Sequence, residues 1–204
     1  MTEATPRAGF PGPKALGWIM TVCGAVGLLA AFVLTVEKIV LLRDPEYVPS
    51  CSINPVLSCG SVMSTPQAEV FGFPNPLLGI AAFAAVAAAG AALLAGTIQR
   101  RWFWLGLQAG TTFGLVFVHW LIYQSLYVIG ALCPWCLLIT VTTTLVWAGI
   151  TRINVRDGHL NLPGRWGPWG RRFVASGNDW FVTVAVLVLF AAVVFARYGW
   201  TLFV

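Results

Sequence analysis

Five apolar runs dominate this chain, and each is long enough to cross a lipid bilayer as a helix. A span needs about 20 consecutive residues that are mostly apolar. The first covers Leu16–Leu42 and carries Glu37 and Lys38 near its far end. The others cover Pro76–Ile98, Trp102–Ile129, Pro134–Ile150, and a stretch from Trp180 to near the C-terminus. Charge falls on only 9% of positions, against about 25% in soluble domains. The fold class expected is therefore an all-α integral membrane protein with five spans, four of them bundled around a pocket and one additional. The first run is too long for a signal-peptide core and has no small-residue cleavage site after it, so it reads as an uncleaved span.

Orientation follows from the basic residues. With the N-terminus inside, nine of the twelve Lys and Arg fall in inner segments, and only Lys38, Arg43 and Arg197 lie outside. That bias predicts a cytoplasmic N-terminus in a multi-pass protein of the cell (inner) membrane. It also accounts for the basic character without nucleic acid, since no aromatic residues interleave the charges as base stacking requires. Residues 1–15 form a Pro- and Gly-rich tail, 16–152 a four-span bundle with an outer loop at 43–75, 153–178 a basic inner loop, and 179–204 the fifth span. Trp166 and Trp169 would anchor the inner loop at the interface. The small-residue run in the second span suits close helix packing.

The topology puts four of the five cysteines on one side of the membrane. Cys51 and Cys59 lie in the outer loop, and Cys133 and Cys136, in "CPWC", open the fourth span. Here Cys133 would cap a helix and Pro134 would take its first position, where a missing N–H costs nothing. Backbone N–H groups at a helix start favour thiolate over thiol. A Cys-x-x-Cys pair there reads as redox-active, the alternative being a static disulfide or two small apolar residues. Cys51 and Cys59 taken alone would be a structural disulfide in a loop whose residues 59–70 form a short surface helix broken near Pro66. Beside a second pair they become exchange partners, passing electrons through a mixed disulfide. A lipid-soluble quinone would accept them at the membrane edge. A zinc site on all four thiols is disfavoured by the long first spacing, and no metal is expected.

A separated cysteine pair after the first span followed by CxxC at the fourth resembles the vitamin K epoxide reductase family, in its bacterial form. The resemblance rests on "CSINPVLSC", "SVMST", "FPNPLLG" and "CPWC". The DsbB-type quinone reductases carry the pairs in the reverse order. The resemblance implies that Cys51 meets a thioredoxin-fold, DsbA-like partner, that Cys59 relays electrons to Cys133, and that Cys136 faces the quinone. It implies a quinone-binding role for Asn75, with helix capping before Pro76 as the alternative, and a site beside Thr65. Met63 and Thr140 fall where vertebrate members place aromatic residues around the quinone, which favours quinone reduction over epoxide reduction. The chain stops at Val204 without a thioredoxin-like domain, so the donor is expected to be a separate polypeptide.

Other polar residues have plainer readings. Cys23 is expected to be a packing residue. His119 shares a helical face with Gln108, Thr112 and Tyr123; that stripe would line the cavity or, by preference, form hydrogen bonds between helices. Glu37 and Lys38 are expected to pair with each other. Outside redox chemistry, the chain would be a disulfide-stapled membrane scaffold.

Overall fold

The computed structural model describes residues 13–97, 100–161 and 163–202. Most of the tail expected over 1–15 lies outside them. Seven α-helices are present among the described residues: α1 (Pro13–Arg43), α2 (Cys59–Met63), α3 (Pro76–Leu94), α4 (Arg101–Gln124), α5 (Pro134–Arg156), α6 (Trp166–Ala175) and α7 (Asn178–Tyr198). Five of these, α1, α3, α4, α5 and α7, are long and apolar enough to span a membrane. A short 3-10 turn at Pro66–Glu69 follows α2, and a π-turn at Ser125–Ile129 extends α4. The all-α architecture with five spans matches the expectation.

Boundaries shift where local chemistry was not visible in the hydropathy. The helix of the second span ends at Leu94, because Gly96 takes φ +80° and its N–H returns to the carbonyl of Leu93; Ile98, the expected end of the span, lies outside the described residues. A left-handed glycine just past a helix end is the usual stop. The fourth span runs past Ile150 to Arg156. Arg152 does not end it, since its guanidinium is buried and ion-paired to Asp179 of α7. The inner loop is more ordered than a linker. It contains α6, with Gly167, Gly170 and Val174 buried and Trp166 and Trp169 exposed, the amphipathic form of an interfacial helix.

Helix α1 sits in the middle of the bundle and packs on both α3 and α5, while α4 packs on α5. The order across the bundle is therefore α3, α1, α5, α4. The two outermost members, α3 and α4, are not closely packed on each other. The α1–α3 seam is made close by small residues: a Cβ at Gly24 would come within 2.7 Å of the Ala87 backbone nitrogen, and one at Gly90 within 2.6 Å of the Thr21 nitrogen. Leu16, Met20, Trp104, Val146 and Ile150 build the core at one end of the bundle. The core at the other end contains Leu34, Met63 and the cysteines Cys51, Cys59 and Cys133.

Candidate redox and quinone site

Pro134 occupies the first turn of α5, and Cys133 precedes it in an extended conformation as the N-cap. The segment before Cys133 is held to the outer loop by a single parallel bridge. Leu132 donates its N–H to the carbonyl of Val56 at 2.7 Å, and Ser58 donates to the carbonyl of Leu132 at 2.9 Å. The loop then turns directly into α2, which begins at Cys59 and is capped by the Ser58 hydroxyl accepting from the Ser61 N–H. This bridge fixes where the two cysteine pairs meet.

Cys51 and Cys59 are joined in a disulfide, while Cys133 and Cys136 are free thiols. The Cys59 and Cys133 sulfurs lie 3.1 Å apart and both residues are buried. The Cys136 thiol hydrogen-bonds Cys133 and, with help from the backbone N–H groups of Cys136 and Trp135, draws the Cys133 thiol below its ordinary range, while burial opposes the shift. A thiolate is the attacking species in disulfide exchange. Cys133 thus has the proximity that exchange with Cys59 needs. With Cys51 and Cys59 bonded to each other, a four-thiolate zinc site is not formed.

A cavity of about 510 Å³ lies between α3 and α4, with α1 and α5 behind it. Its walls are mainly apolar, and Cys133, Cys136, Asn75, Thr65, Met63 and Thr140 all border it. Cys51 and Cys59 do not border it; Cys59 reaches it only through its contact with Cys133. An apolar cavity of this size, edged by a few polar groups, has the usual form of a site for a small, largely apolar molecule.

The polar residues are not equally available to a ligand. The Asn75 side chain accepts from the Val70 N–H at 3.2 Å and donates to the Gln67 carbonyl at 2.7 Å, and it makes no capping bond to α3. Its side chain therefore closes the 67–75 turn rather than capping α3, and the residue borders the cavity. The Thr65 hydroxyl donates to the Val62 carbonyl and the Thr140 hydroxyl to the Cys136 carbonyl, each at 2.8 Å. Both hydroxyl protons are thereby used locally. Met63 offers its buried side chain to the outer core, and its carbonyl to Lys38.

The expected Glu37–Lys38 pair is not formed. Adjacent residues on a helix point about 100° apart, and each charge has found a different part of the loop. Glu37 accepts from the Tyr47 hydroxyl at 2.9 Å and from the Ser50 backbone and hydroxyl. Lys38 donates to the Met63 carbonyl at 2.7 Å and pairs with Glu69 at 2.9 Å. Both are only 7% exposed, and Lys38 borders the cavity. Their presence in an apolar span was the available signal, since intramembrane charges are seldom incidental.

The polar stripe of α4 divides as well. Gln108 and Thr112 make hydrogen bonds to α5 through Thr151, Asn154 and Trp147, as preferred from the sequence. His119 turns towards Phe190 of α7, and Tyr123 is exposed beside Tyr127. Cys23 is half-buried against the core that holds Leu16 and Met20. The face of α4 at the cavity is instead Gly106, Gly110, Phe113, Gly114 and Phe117.

In a sequence search no curated protein matches the chain. The model of the vitamin K epoxide reductase family matches residues 18–151, a stretch that runs from α1 through most of α5 and includes all four clustered cysteines. The chain therefore belongs to the vitamin K epoxide reductase family, as a multi-pass membrane oxidoreductase of disulfides and quinones.

Proposed function

We propose that the protein reoxidises a thioredoxin-fold, DsbA-like partner and passes its electrons to a membrane quinone, driving disulfide formation. The observation that carries this reading is the 3.1 Å approach of Cys59 to Cys133, with Cys136 at the cavity beyond. A donor thiolate attacks Cys51, breaks the Cys51–Cys59 bond and leaves Cys59 as a thiolate. The donor's second thiol then releases Cys51 and carries away the new disulfide. Cys59 attacks Cys133 of an oxidised Cys133–Cys136 pair, and Cys51 closes on Cys59 to restore the loop disulfide. The helix pair is left reduced, which is the arrangement observed: loop disulfide closed and helix thiols free.

Quinone is the second substrate. Counted from two thiols, the helix pair gives up two electrons and two protons as it closes to a disulfide, and the quinone takes up two of each. Cys136 is the sulfur that meets the ring, and Asn75 supplies an N–H to a ring oxygen. The loose side of the bundle, between α3 and α4, gives a lipid-borne substrate a lateral way in. Residues 16–152 form the catalytic unit, with the cysteine end extracytoplasmic and the N-terminus cytoplasmic. Cys51 is only 7% exposed, so the loop has to lift for the donor to reach it.

The test is quinone reduction by protein in lipid nanodiscs, supplied with a reduced thioredoxin-fold donor. Wild type should turn over. Cys136→Ala should abolish quinone reduction while the donor still opens the loop disulfide. Cys59→Ala should block transfer from donor to quinone. A wild-type protein whose disulfide resists the donor and which reduces no quinone would be the static scaffold instead.

A further inference from the structure

Lys38 is the one charged side chain among the described residues that line the cavity. It stands on α1, is 7% exposed, and shares the outer end of the cavity with Met63, Thr65 and Asn75. Burying an ammonium is costly unless it is paired, and here two partners hold it: the Met63 carbonyl at 2.7 Å and Glu69 at 2.9 Å. An ammonium has three donors, so one N–H remains after these contacts. The partners are unequal in setting, because the Glu69 side chain is 38% exposed whereas Lys38 is buried. Water weakens the hold of Glu69 on the charge, while the apolar cavity wall does nothing to screen it on the other side.

We infer that Lys38 is a catalytic residue for quinone reduction: its third N–H and its charge stabilise the negative oxygen that develops as electrons arrive from Cys136. This role rests on the quinone-reductase reading above. A preorganised donor aimed at developing charge in a water-poor site acts on the transition state more than on binding. The arrangement also explains why α1 keeps a lysine within an apolar helix. The Met63 and Glu69 contacts hold its position so that no reorganisation is needed when charge appears.

The experiment compares wild type, Lys38→Met, Lys38→Arg and Glu69→Gln in nanodiscs. Three quantities are read: quinone reduction with a series of quinones of falling reduction potential, quinone affinity by equilibrium titration, and opening of the Cys51–Cys59 disulfide by the donor. Lys38→Met should lower kcat about 100-fold, leave quinone affinity and disulfide opening nearly unchanged, and lose most with the quinones hardest to reduce. Lys38→Arg should recover most of the rate. Glu69→Gln should cost far less than Lys38→Met, because the cation remains.

If Lys38 is only a strut for the loop, Lys38→Met and Glu69→Gln will lose alike, affinity will fall with rate, and all quinones will suffer in equal proportion. That pattern, or an unchanged kcat in Lys38→Met beside an active wild type, overturns the inference while leaving the quinone-reductase reading intact. A wild type without quinone turnover removes both.

Discussion

Glycine is used in two opposite ways on the two sides of this bundle. Along the α1–α3 seam, Gly17, Gly24, Gly27 and Gly90 lie where a side chain would strike the facing helix. On α4, a Cβ at Gly106 or Gly110 would have nothing within 4 Å, and one at Gly114 would meet only a Thr143 methyl at 3.7 Å. Those three border the cavity. Small residues four apart in a membrane helix ordinarily signal helix contact, and on α1 and α3 they do. On α4 the same spacing keeps a wall thin. The seam supplies the rigid half of the bundle, and the thin wall widens the cavity that Cys136 also borders.

The largest effect expected from this contrast is at the seam. In Gly24→Leu the new side chain meets the backbone of Ala87, which cannot rotate away. Overpacking commonly costs about 1–3 kcal/mol, and a clash with backbone falls at the upper end. Thermal unfolding in detergent should show a clear drop in Tm, with loss of monodisperse protein. A Gly24→Leu protein as stable as wild type would mean that α1 and α3 do not meet closely at this position.

Next comes the thin wall. Gly110→Leu places a side chain in the cavity between α3 and α4. The fold should hold, since nothing stands in its path and leucine is the better helix former. Quinone should bind about tenfold more weakly, equivalent to about 1.4 kcal/mol, while donor-driven opening of the Cys51–Cys59 disulfide is unchanged. A fall in Tm without a change in quinone affinity would convert the α4 glycines into packing residues and undo the comparison.

Hydropathy made the five spans legible because the bilayer imposes a length that few other environments require. The cysteine pairs were legible for a related reason: the alternation of the spans puts the loops after the first and third on one side, and the CPWC sequence carries its own helix start. What the sequence did not reveal depends on direction. Glu37 and Lys38 are neighbours in sequence, yet on a helix they face different segments and anchor different halves of the outer loop. Asn75 turned out to brace Gln67 and Val70 rather than cap α3, because its own backbone is already helical. The bridge between Leu57 and Leu132 joins segments far apart in the chain through backbone groups alone, and side-chain identity carries no trace of it. The inner-loop helix α6 was hidden by its glycines and proline, which read as linker until burial of Gly167 and Gly170 gives them a packing face.

The smallest predicted effect has the opposite sign to the largest. Gly106→Ala adds one methyl group to α4 where there is open space. Glycine loses more backbone freedom on folding than any other residue, so replacing it with alanine inside a helix is worth roughly 0.5–1 kcal/mol when no contact opposes it. Tm should therefore rise slightly. A methyl at the cavity wall removes little of a volume of about 510 Å³, so quinone kinetics should stay within about twofold, less than about half a kcal/mol. The seam gives no such gain, because there the entropy advantage is outweighed by contact with the facing backbone. A rise in Tm for Gly106→Ala beside a fall for Gly24→Leu separates an open wall from a closed one by sign alone. If both fall, α4 is pressed against a neighbour, and the space between α3 and α4 is not held open by its glycines.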